Sequence, residues 1–135
     1  FVEIRNLQPE DEQAWARIIE MNFRLSQSAQ AMTELENYLN LLLGNGKAES
    51  AIKFLQTLIQ EMPEQLALQR RLASLYAQRG NINEAVEQLD KIGRKLLQVG
   101  DHAGACEIVE AIIALNPPNK VEYQKFLMRL RGQKA

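Results

Sequence analysis

The sequence predicts an all-α protein, an antiparallel, right-handed helical-repeat solenoid of about seven helices. Three observations predict it. No stretch alternates apolar and polar residues as a half-buried strand would, whereas apolar residues recur three and four positions apart along most of the chain. Gly and Pro punctuate that pattern at short intervals. The chain also repeats itself every 54 residues: GKAESAIKFLQTLIQEMP at 46–63 returns as GDHAGACEIVEAIIALNP at 100–117. The same interval pairs Ala51 with Ala105, Ala31 with Ala85, Leu35 with Leu89 and Arg17 with Arg71, and it spaces Pro9, Pro63 and Pro117. Self-similarity at such a period marks stacked helical units, none of which can bury its apolar face alone.

The 135 residues form one domain in this reading, with four parts. Residues 1–9 are the tail of a preceding, truncated unit, since Ile4, Leu7 and Pro9 fall where Leu58, Glu61 and Pro63 lie. Residues 10–62 and 64–116 are two three-helix blocks, and 118–131 is a capping helix. The chain opens on Phe1 rather than Met, so a leader or further domains are expected before it.

The first helix follows Pro9, with Glu10, Asp11 and Glu12 complementing the positive end of its dipole. Trp15, Ile18, Ile19, Asn22 and Leu25 trace its inner face. Ser26-Gln27-Ser28 aligns with Gly80-Asn81-Ile82, which places a turn there; one helix from 10 to 44 is the alternative, because no Gly or Pro interrupts it. The second helix, 28–44, turns Ala31, Leu35, Tyr38, Leu39 and Leu42 inward and stops at Gly44-Asn45-Gly46. The third, 47–61, ends ahead of Pro63.

The fourth helix, 64–79, presents Leu68, Leu72, Leu75 and Tyr76 and ends at Gly80. Asn81 is expected to cap the fifth helix, with Glu84 completing a capping box. The fifth carries Ala85, Leu89, Ile92 and Leu96 and closes at Gly100. Asp101 is the expected N-cap of the sixth, which runs to about Asn116 before Pro117-Pro118. The seventh, 119–131, shows Val121, Tyr123, Phe126, Leu127 and Leu130 and leads into a basic tail, Arg129 to Lys134.

The stretch LALQRRLASLYAQRGNINEAVEQLDKI at 66–92 resembles a tetratricopeptide repeat, a 34-residue helix–turn–helix unit. Leu72 and Ala73 fall where that family packs an apolar and a small residue, Tyr76 at its aromatic position, Gly80 near its turn, and Ala85 where its two helices cross closely. WARIIEMNFRLSQSAQAMTELENYL and the second halves GKAESAIKFLQTLIQEMP and GDHAGACEIVEAIIALNP extend the resemblance over about 12–117. The signature alanines at 31, 51, 85 and 105 are 20, 34 and 20 apart, so the second and fifth helices serve as the end of one unit and the start of the next. The resemblance implies a protein-interaction domain. It also implies that a basic side chain on a first-helix inner face could clamp a peptide carboxylate, and the matching positions make Arg70 and Ser74 the candidates, with Arg71 beside them.

Composition fits that class. Apolar residues make up 46% and charged residues 24%. Net charge is −1, split into −5 over 1–67 and +4 over 68–135. That split allows head-to-tail association or an acidic partner on the C-terminal half; a solvated surface with no partner is the alternative. No apolar run spans a bilayer, so no membrane is expected. Nucleic acid is not expected either, because no aromatic–basic alternation appears. A single Cys suits a reducing compartment, and the expected location is cytoplasmic.

No catalytic constellation is visible. His102 and Cys106, four apart, could share a helix face as metal ligands do, but there is no other His or Cys, and Cys106 aligns with apolar Ile52. They are read as structural, with no metal and no cofactor. G-N-G at 44–46 lacks the phosphate-loop lysine. Trp15 and Tyr76 are read as core. The expected function is therefore a non-catalytic interaction scaffold from a larger protein, holding a peptide or a partner's helix. A homodimerisation module, or a regulatory domain attached to an enzyme or transcription factor, is the alternative.

Overall fold

In the computed structural model, residues 12–133 are described; the expected terminal tail 1–9, and Glu10 and Asp11 of the first helix, lie outside them. The described residues form seven α-helices and no strand: α1 (Glu12–Arg24), α2 (Ser28–Gly44), α3 (Ala48–Glu61), α4 (Leu66–Gln78), α5 (Ile82–Gln98), α6 (His102–Ala114) and α7 (Lys120–Gln133). None of these helices is long and apolar enough to cross a membrane.

Four of the turns share one construction. Ser26, Gly46, Gly80 and Gly100 each adopt a positive φ, of 61, 72, 81 and 81° respectively. At each, the next amide donates back across the turn at 2.8 Å: Gln27 to the Asn22 carbonyl, Lys47 to Leu42, Asn81 to Tyr76 and Asp101 to Leu96. This is the Schellman closure, which satisfies carbonyls a helix end would otherwise leave without partners. It separates α1 from α2 and excludes a single helix from 10 to 44. The remaining turns contain Pro63 and Pro117, which cannot continue a helix. Turns this short reverse the chain, so within each unit the helices that pack on one another, α1 on α2 and α4 through α7 in succession, run antiparallel.

The chain divides into two compact units, Phe1–Leu58 and Ile59–Ala135. In the first, α1 packs on α2. Trp15, Ile19, Ala31, Leu35, Tyr38, Leu39, Ala51 and Leu55 are all at most 1% exposed. Trp15 stacks on Tyr38 with centroids 5.3 Å apart, and Tyr38 meets the edge of Phe54 at 4.6 Å. Trp15 is thus core. Leu25, expected on the inner face, is 60% exposed because α1 ends at Arg24 and the chain turns at Ser26; Phe23 is buried in its stead.

In the second unit, α4 packs on α5, α5 on α6 and α6 on α7. One cluster joins Ala73, Leu89, Ile92, Ile108 and Ile112, and another joins Ala105, Cys106, Val109, Leu127 and Leu130. Val121, expected inward, is 60% exposed. The face of α7 against α6 is set by Tyr123, Phe126, Leu127 and Leu130 at helical spacing, and Val121 is out of phase with it. Arg129 lies over the Phe126 ring at 5.9 Å and Arg131 pairs with Glu110, so much of the basic tail is helix.

Candidate functional site

Among the sequence candidates, Arg70 is the one the fold carries into a cleft. The cleft lies within the second unit, between α4 and α6 and floored by α5, with a volume of about 340 Å³. Leu66, Ile92, Leu96 and Ile108 give it an apolar lining, and Arg70, Asp101 and Glu107 stand around it. Arg70 is exposed. Small Ala67 opens the α4 side one turn before Arg70.

Ser74 follows Arg70 by one turn on α4 and is exposed, but it does not line the cleft. Arg71 is half-buried and already engaged within the protein, so the three candidates are not brought to one point. Lys95 on α5 donates to the Pro63 carbonyl at 3.3 Å, tying that turn to α5.

Asp101 is held by its own helix. Its Oδ1 accepts from the Gly104 amide at 2.9 Å, the N-cap bond expected from the sequence. The equivalent bond at α5 is missing: Asn81 sits at the N-cap but its side chain makes no cap bond. At Gly104 a Cβ would stand 2.5 Å from Asp101 Oδ2, so the capping carboxylate lies in the space beside this glycine. The expected capping box is absent, and the Glu84 side chain is left exposed.

His102 is exposed, with Nδ1 3.3 Å from the Gly100 carbonyl, whereas Cys106 is buried at 7% exposure, the same as Ile52. No group of three or more His, Cys, Asp or Glu residues that could hold a metal occurs among the described residues.

Residues 42–98 match the family model of the tetratricopeptide repeat. The match supports a tetratricopeptide-superfamily assignment for this segment. It contains the stretch 66–92 and runs from the end of α2 through α5, so Arg70 and the α4 side of the cleft lie within the matched segment. No curated protein matches the chain. Among solved structures the chain is similar to a putative kinesin light chain from Podosopora anserina with nearly identical tetratricopeptide-like repeats, at 18% identity, covering 93% of this chain and 88% of that one, with a TM-score of 0.34.

Proposed function

We propose that the chain is a non-catalytic protein-interaction module whose α4–α6 cleft receives a peptide or a partner's helix. Tetratricopeptide repeats are generally interaction scaffolds, and the single observation that supports this reading most is the repeat match over 42–98, which includes Arg70. In this reading Arg70 pairs with a carboxylate of the partner, because a guanidinium presents a planar fork of donors to it. The apolar lining takes a neighbouring side chain. Ser74 extends the contact along α4, and Arg71 holds α4 in place. The blocks 10–62 and 64–116, offset by 54 residues, are two copies of one supporting unit, and the buried, free thiol of Cys106 suits a cytoplasmic setting.

A photo-crosslinking side chain at exposed Ala67, in the full-length protein, tests this against the same group at exposed Gln78. Adducts with another protein are expected from position 67 and not from 78. Equal labelling at both, or none at 67, removes the cleft as the binding site.

Self-association is a second reading, favoured by Val121 and Met128, 60% and 71% exposed and seven residues apart on α7. Sedimentation at low and high salt decides it: a monomer under both conditions eliminates the dimer.

A further inference from the structure

A second groove in the same unit has a different character. It runs between α5 and α7 over α6. One section is an apolar channel of about 290 Å³, with Gly93 and Ala105 at its floor and Leu97 and Phe126 along its sides. That volume is at the low end of the roughly 300–1,000 Å³ of small-molecule pockets. It suits a side chain better than a cofactor.

The channel adjoins a polar mouth of about 390 Å³, and the two share Asp90, Asn119 and Tyr123. Tyr123 spans the junction, its hydroxyl donating to Asp90 Oδ2 at 3.1 Å. In the mouth, Glu84, Glu87 and Asp90 descend one face of α5 at three-residue spacing. Glu84 and Glu87 are exposed, and neither pairs with a base among the described residues. Glu122 adds a fourth carboxylate, opposed by Arg94 alone among the groove's lining residues. The groove is therefore acidic although residues 68–135 carry a net charge of +4.

We propose that this groove binds a basic amphipathic segment of a partner protein, with an apolar side chain in the channel and a Lys or Arg, one turn away, in the mouth formed by Glu84, Glu87 and Asp90. Charge complementarity selects the occupant: an acidic peptide or a nucleic acid would meet unneutralised carboxylates, whereas a cation beside an apolar anchor satisfies both sections at once. The site is separate from the α4–α6 cleft and does not depend on Arg70.

Fluorescence anisotropy on the whole chain, with three dye-labelled helical peptides, tests the proposal. The first peptide carries Leu on one face and Lys one turn away, the second replaces each Lys with Glu, and the third replaces each Leu with Ser. The first should bind at least about tenfold more tightly than either other, given a few exposed charge pairs of modest strength each. Its advantage over the Glu peptide should shrink with added salt. Glu84→Lys combined with Glu87→Lys, both at exposed positions, should turn the preference toward the Glu peptide, and Arg70→Ala should leave the preference unchanged. Equal binding of the Lys and Glu peptides, a preference that survives the double reversal, or no binding of any peptide overturns the proposal. Loss on Arg70→Ala alone would also overturn it, while leaving the α4–α6 reading intact.

Discussion

The carboxylate of Asp101 lies where a side chain on residue 104 would begin: a Cβ on Gly104 would be 2.5 Å from Oδ2, and the Gly104 amide donates to Oδ1 at 2.9 Å. Cap and glycine thus depend on each other. Asp101→Ala should cost about 1 kcal/mol through the lost cap. Gly104→Ala should lose the same cap while gaining up to about 1 kcal/mol of helix propensity, and in the Asp101→Ala background only the gain remains. A double-mutant cycle in urea should show coupling of about 1 kcal/mol; additive effects would refute the dependence.

Ser26 holds a φ of 61° where the related turns place glycines. A left-handed conformation costs a residue with a side chain roughly 1–2 kcal/mol, partly offset by the greater freedom glycine loses on folding. Ser26→Gly should raise stability by about 0.5–1 kcal/mol in equilibrium unfolding, and a decrease would show that Ser26 is not strained.

Ala51 and Ala85 are wholly buried. Replacing either with Leu should cost roughly 1–3 kcal/mol through overpacking, whereas Ala103→Leu, exposed on α6, should change stability by no more than about 0.5 kcal/mol. Thermal melts that fail to separate the two classes would remove the close helix crossing as their cause.

Gly93 is buried within α5, yet a methyl group there would meet Ile108 Cγ2 at an ordinary 3.6 Å. Gly93→Ala should therefore stabilise by about 0.5–1 kcal/mol through helix propensity. A loss of stability would mean that α5 and α6 lie closer together than the structure shows.

Burial raises the Tyr123 pKa above its ordinary 10.0, and the Asp90 charge and hydrogen bond push it further in the same direction. A phenol whose folded pKa exceeds its unfolded value stabilises the fold fully below the unfolded value, and that contribution is lost as pH rises through the folded one. Stability should accordingly be insensitive to this group at neutral pH and fall in the alkaline range, and Tyr123→Phe should make the alkaline fall shallower. An unchanged alkaline profile in the variant would contradict the assignment.

The architecture was legible because its signals are periodic. Ala31, Ala51, Ala85 and Ala105 recur at intervals of 20, 34 and 20, and all four are completely buried. Cys106 aligned with Ile52 and shares its burial. The misses have local causes. Leu25 continued the apolar spacing past a helix end that a serine, not a glycine, makes, and Val121 entered the list by its apolar type although its phase on α7 differs. Asn81 and Glu84 satisfied the capping-box pattern, yet the Asn81 side chain makes no cap bond, because residue type at two positions does not fix the rotamer a cap requires. Arg70 was found through the repeat, whereas the acidic groove was hidden by counting charge over a half-chain: the bases of 68–135 outnumber its acids but largely face elsewhere, and four of those acids meet at one groove.

The single thiol has a practical corollary. Cys106 sits under Leu127 and Leu130, so a thiol reagent gains access to it only when α7 lifts away from α6 or the unit opens further. The labelling rate of the unaltered chain is then a clock for that breathing motion, and any occupant that clamps α7 against its neighbours should slow the clock.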